Sequence, residues 1–338
     1  MPLFIAACRG EPTPHTPVWI MRQAGRYLPE YRKLRENIGF LEFTKTPELA
    51  TEATLQPIRR FDLDAAILFA DIMTPVEGMG IELEFDGGPY IPRPIRDAAA
   101  VDRLRIGDPE ESVPHTLETV RRVVSELPSS VPLIGFAGAP FTVYCYLVEG
   151  HGSRSFARAR AFLRADPESA GRLMDLVADT TIGYLRAQAE AGARALMLFD
   201  SWIGLLAAET FEAVAAPRVE RILRALRPLG VPLIYFPNQG GHLLGRVREL
   251  PMDAVGIDWR VPLADARQRL GPDLTLQGNL DPSMLFADRD TLAGGIDAVL
   301  DQAGEGRHVF NLGHGIDKET DPDAVAFLVD RVHERSRR

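Results

Sequence analysis

Eight short apolar runs recur along the chain, and their spacing constrains the fold more than any other feature. They occupy residues 18–21, 65–70, 132–137, 195–199, 231–236, 254–259, 274–278 and 308–312. Each is continuous rather than alternating, as in strands buried on both faces of a parallel sheet. Segments with helical apolar spacing lie between most of them, at 47–61, 109–127, 166–191, 210–229, 265–270, 289–303 and 322–335, several opening on Asp or Thr and Pro. Repeated strand and helix predict an α/β fold, a single closed (β/α)8 TIM barrel over residues 1–338. A doubly wound sheet would more often show about six strands and a glycine-rich phosphate turn after the first, and no such turn follows residue 21. Residues 80–91 alternate and turn like a β-hairpin, which reads as an insertion after strand 2.

Composition excludes several classes of function. A net charge of -9 disfavours nonspecific binding to nucleic acid, so a polyanionic ligand would need a local basic pocket. No run approaches the roughly 20 apolar residues of a membrane span, and the apolar start at residues 1–8 has no charged leader. The expected setting is the cytoplasm. Cys8 and Cys145 are too few and too far apart for a disulfide framework or a thiolate-rich metal site, so no metal is expected. The lysines, Lys33, Lys45 and Lys318, are scarce, and the first two lie in polar surroundings unsuited to a Schiff base.

In such barrels the active site lies at the C-terminal ends of the strands, so polar residues just after each run are candidates. Arg22 and Arg26 follow the first, around Gly25 and before Pro29, which argues for a loop that lets the backbone approach a ligand. Two planar guanidinium groups there suit carboxylate or phosphate, while a solvated surface loop is the plain alternative. Asp71 interrupts an apolar stretch, where an unpaired charge costs several kcal/mol unless something compensates. Tyr144 and Tyr146, Asp200 and Ser201, Asn238, Asp258, Asn279 and Asp281, and His314 between Gly313 and Gly315 complete the mouth. Asp200 and Asp281 each have helix capping as an equal alternative.

At these residues the chain resembles the uroporphyrinogen decarboxylase family. The likeness runs through Arg22-Gln23-Ala24-Gly25-Arg26-Tyr27-Leu28-Pro29-Glu30, Phe69-Ala70-Asp71-Ile72, Gly135-Phe136-Ala137-Gly138-Ala139-Pro140, Phe199-Asp200-Ser201-Trp202, Gln277-Gly278-Asn279-Leu280-Asp281-Pro282 and Asn311-Leu312-Gly313-His314-Gly315. Phe141, where the family often has Trp, and Asp317-Lys318 depart from its pattern and bear on local loop packing. The resemblance implies a cofactor-independent carboxy-lyase, a homodimer with facing clefts, and conversion of uroporphyrinogen III to coproporphyrinogen III with release of four CO2. It implies Asp71, Arg22 and Arg26 as catalytic groups. Substrate binding would fall to Arg22, Gln23, Ala24, Gly25, Arg26, Asp71, Tyr146, Ser201 and His314, with Asp71 at the pyrrole N–H groups. Tyr144 receives no role.

Two other readings share part of this pattern. A cobalamin-linked methyltransferase of the same barrel family would need zinc-binding His and Cys, and His242 is followed by Leu243 and Leu244 with no cysteine close by. A noncatalytic tetrapyrrole-binding protein would keep the arginines but have no need of an acid at the pyrrole nitrogens.

Overall fold

Seven of the eight apolar runs form parallel strands of one curled sheet in the computed structural model, which describes residues 1–304 and 306–338. In chain order the strands are β1 (Ala66–Ile67), β2 (Glu84–Phe85), β3 (Pro89–Tyr90), β4 (Leu133–Gly138), β5 (Ala195–Asp200), β6 (Leu233–Pro237), β7 (Ala254–Gly256), β8 (Thr275–Gln277) and β9 (His308–Val309). The sheet order is β1-β4-β5-β6-β7-β8-β9, with β2 and β3 forming a separate antiparallel pair in register Glu84 to Tyr90. That pair is the expected hairpin after the second run. All residues of β4, β5 and β6 are buried, which explains why their sequences show no polar alternation.

The first run departs from a regular strand. Residues 18–21 make one parallel bridge, Val18 to Phe310, and on the other edge Asp64 N–H donates to the Val18 carbonyl. Side chains take the place of the missing ladder. Val18 N–H donates to the Asp64 carboxylate (2.8 Å), Ile20 N–H to Gln23 Oε1 (3.1 Å) and Met21 N–H to Asn311 Oδ1 (2.9 Å). Gln23 then donates to the Ala65 carbonyl, bonding the first segment to the start of β1. These partners satisfy backbone groups that would be expensive to bury unpaired.

A similar substitution occurs beside β4. Because β1 ends at Ile67, the edge groups of Phe136 lie beyond it, and the Gln188 amide pairs with both its N–H (2.9 Å) and its C=O (3.0 Å). Gln188 belongs to the helix Pro167–Glu190, which Asp166 caps by accepting from Ser169 N–H. Asp288 and Asp321 cap the helices Arg289–Ala303 and Pro322–Arg335 in the same way.

Two helical readings change. The expected helix at 109–127 breaks at Val113, because Pro114 disfavours helical geometry in the residue before it. Residues 140–149, rich in β-branched and aromatic side chains, form the helix Pro140–Glu149, buried at every position except Tyr146. Tertiary burial outweighs its weak intrinsic helix propensity. This helix brings Tyr146 to the mouth and Thr142 to the buried Asp200.

Candidate active site

The loop after the first segment owes its shape to Arg22, whose backbone is left-handed at φ 64°. The sequence pointed to Gly25 as the permissive position, but Gly25 has no positive φ, and the strain sits on an arginine instead. The neighbouring loop after β9 receives that side chain. A Cβ at Gly315 would collide with the Arg22 side chain, so glycine there makes room for it. The two loops are further joined by Ile316 N–H donating to the Met21 carbonyl.

Gln23 is fully buried, and its amide is engaged with Ile20 and Ala65, so its side chain holds the loop rather than lining the cleft. Ala24 and Gly25 are half-buried next to it. Arg26 is exposed and its charge lies near Tyr31. Among the described residues neither Arg22 nor Arg26 is in salt-bridge contact with a carboxylate, which leaves both forks available to an anion.

Asp71 lies just past β1, half-buried at the floor of the mouth. Its Oδ1 accepts from Met73 N–H (2.8 Å), and its own N–H donates to Thr74 Oγ1 (3.3 Å). Burial raises its pKa to about 6, against the opposing pull of the Met73 N–H and the Arg22 charge. Tyr146 stands close enough to feel both Asp71 and Arg22, and its phenol is also raised, chiefly by burial. Its ring meets Trp202 edge-on at 6.2 Å. Trp202 Nε1 is buried and lies against the Tyr146 phenol.

His314 is also close to Arg22. Burial, then Arg22 and Arg260, lower its pKa to about 4, so it is neutral at pH 7 and acts there as a hydrogen-bonding group rather than a cation. Arg260 was missed from the sequence, although it directly follows the sixth run as Arg22 follows the first. Its guanidinium stacks on Trp259 at 3.8 Å and pairs with Asp258 at 3.2 Å, while the Trp259 ring meets His314 at 6.2 Å.

Other candidates separate clearly into cleft and framework. Ser201 is half-buried, and its carbonyl is held by Asn238 Nδ2. Tyr144 is fully buried and donates to the Ala159 carbonyl, a packing role. Asp281 accepts from Ser283 N–H at the start of a short helix and is a cap. Asn279 donates to the carbonyls of Asp258 and Val261 and steadies that loop. Asp200 is not a cap: it accepts from Thr142 and Tyr235 inside the barrel.

Comparison with known proteins shows the family. A family model described as uroporphyrinogen decarboxylase matches residues 1–335. The chain is 51% identical over 331 residues to the uroporphyrinogen decarboxylase of Syntrophotalea carbinolica, covering 98% of this chain and 96% of that one. It is 48% identical over 331 residues to that of Myxococcus xanthus, covering 98% and 95%. A solved methyltransferase from Methanosarcina mazei superposes with a TM-score of 0.78 over 98% of this chain and 97% of its own, at 20% identity, a likeness of fold alone. Cys8 and Cys145 are both buried, and desolvation raises both thiols, so neither supplies the thiolate that zinc-dependent methyl transfer needs. With sequence likeness spanning almost its full length, the chain belongs to the uroporphyrinogen decarboxylase family.

Proposed function

We propose that this protein removes the four acetate carboxyls of uroporphyrinogen III, giving coproporphyrinogen III and four CO2 in porphyrin and haem biosynthesis. Each turnover breaks one C–COO⁻ bond and puts a proton where the carboxyl left. The electron pair needs an acceptor, and the substrate can supply it. Protonating a pyrrole next to the acetate-bearing carbon makes a cationic ring that receives the pair as CO2 departs, and loss of the ring proton then restores the pyrrole.

The observation that carries the reading is the Asp71 carboxylate, on the floor of a cleft beside Arg22, which has no carboxylate salt-bridge partner among the described residues. At pH 7 a carboxyl with a pKa of about 6 is mostly ionised. In our reading it accepts pyrrole N–H hydrogen bonds, which strengthen as positive charge develops on those nitrogens, so the transition state gains more than the ground state. Arg22 and Arg26 bind peripheral carboxylates and orient the macrocycle. With pKa values above about 12 they suit binding better than proton donation. Tyr146, Ser201 and neutral His314 hydrogen-bond the periphery, and the backbone of Gln23, Ala24 and Gly25 shapes the arginine loop. The chain works as one domain, without cofactor, as a cytoplasmic homodimer.

Anaerobic incubation of the chelator-treated protein with uroporphyrinogen, followed by separation of products by carboxyl number, tests this. Hepta-, hexa-, penta- and tetracarboxyl products should appear in turn without added cofactor. An unchanged octacarboxyl substrate, or activity only after adding zinc or pyridoxal phosphate, would sink the reading.

A further inference from the structure

The end of the barrel opposite the mouth holds a second cluster of titratable groups that decarboxylation does not use. His15 precedes the first segment, Asp64 precedes β1, and His333 lies in the last turn of the helix Pro322–Arg335. His333 Nε2 is 2.9 Å from Asp64 Oδ2, and His15 Nε2 is 3.5 Å from Asp64 Oδ1. The two imidazole rings are 4.3 Å apart, and one donor atom from each of the three residues lies within 4.8 Å of the others. His15 Nε2 is buried, with no hydrogen-bond partner among the described residues. It points a nitrogen at a carboxylate without bonding to it.

We propose that His15, Asp64 and His333 form a binding site for a divalent transition-metal cation of the zinc class, separate from the decarboxylation site. Ligands about 2.0–2.1 Å from a tetrahedral zinc are about 3.3 Å from one another, close to the 3.5 Å between His15 Nε2 and Asp64 Oδ1. Two imidazoles and one carboxylate favour such an ion over calcium or magnesium, which take oxygen donors. The surrounding groups are arranged for it. Val18 N–H occupies Asp64 Oδ2 (2.8 Å), which leaves Oδ1 for a metal. Asp62, almost fully exposed, places a carboxylate oxygen 3.7 Å from His333 Nδ1, where a small side-chain movement would hold the proton on Nδ1 and present the Nε2 lone pair.

Without metal, His333 Nε2 shares a hydrogen bond with Asp64 Oδ2. An imidazole binds metal only through an unprotonated nitrogen, so binding weakens as pH falls. The three ligands come from the N-terminal segment, the turn before β1 and the C-terminal helix, so a bound ion would tie both ends of the chain to the barrel.

Titration calorimetry with zinc ions on chelator-stripped protein, together with thermal melting, tests the site. The parent should take up one zinc per chain and melt at a higher temperature with zinc. His15→Phe keeps a ring against His333 but removes the donor, so it should melt like the zinc-free parent, keep the parent's decarboxylation rate and lose the one-per-chain binding. His333→Gln should lose binding too, with a lower metal-free melting temperature because the contact to Asp64 is gone. Asp62→Asn should weaken binding by about tenfold or more. Absence of stoichiometric binding by the parent, or its survival in His15→Phe, overturns the proposal.

Discussion

Two carboxylates, one just past β1 and one at the end of β5, are raised alike in very different surroundings. Burial raises both Asp71 and Asp200 to about 6. Asp200 is 0% exposed, and each of its oxygens accepts from a hydroxyl at 2.7 Å, Thr142 on one side and Tyr235 on the other. Asp71 has one backbone N–H on Oδ1 and faces the cleft. A perturbed pKa alone would nominate both as functional. What separates them is the unused acceptor capacity of Asp71, which is available to a ligand, whereas Asp200 is already satisfied by the protein. Asp200 acts indirectly: Thr142, which donates to it, also accepts from Trp202 N–H and so steadies the loop bearing Ser201 and Trp202.

Substitution should separate the two regions. The largest effect is expected in Asp71→Asn, where turnover should fall by about 3–4 kcal/mol in activation free energy, as for the loss of a preorganised electrostatic contact. Its fold should remain intact by circular dichroism. Near-parental turnover would mean that charge at Asp71 does not drive the reaction. Asp200→Ala should reverse the pattern, lowering unfolding free energy by about 3 kcal/mol, because two buried hydroxyls lose their acceptor and a void remains. Denaturant melts would show this, and unchanged stability would contradict a framework role.

The smallest effect is a pH dependence of melting. Asp71 has a folded pKa raised from 3.8 to about 6, so the folded chain holds that proton more tightly than the unfolded one. Stability from this group therefore falls as pH rises from about 4 to about 6. Asp71→Asn should melt slightly above the parent at pH 7, and the gap should close near pH 4. A gap that widens toward acid would mean that Asp71 is stabilised as a carboxylate in the empty cleft.

Much of this was legible in the sequence, for reasons that differ by residue. Parallel strands announce themselves because both faces are buried, and Asp71 stood out as a charge in an apolar run. Arg260 obeys the rule that found Arg22 but was overlooked. The helix Pro140–Glu149 could not be read locally, because Thr142, Val143, Tyr144 and Tyr146 suit a strand equally well and only packing decides. The roles of Gln23, Gln188 and Asn311 were hidden because a side chain that replaces a strand partner leaves no periodic trace. Arg22, at its positive φ, packs its side chain against Gly315, nearly 300 residues away.

The side-chain seam of the first segment makes backbone geometry heritable in an unusual way. In a laddered strand, main chain pairs with main chain, and many substitutions leave the bonds untouched. Here the Met21 amide depends on the identity of residue 311, since Asn311 Oδ1 is its acceptor. A codon change at Asn311 would therefore act as a backbone lesion, loosening the residue just before Arg22. A survey of variants scored by activity alone would count Asn311 among the chemical groups, although its part is that of a hinge pin.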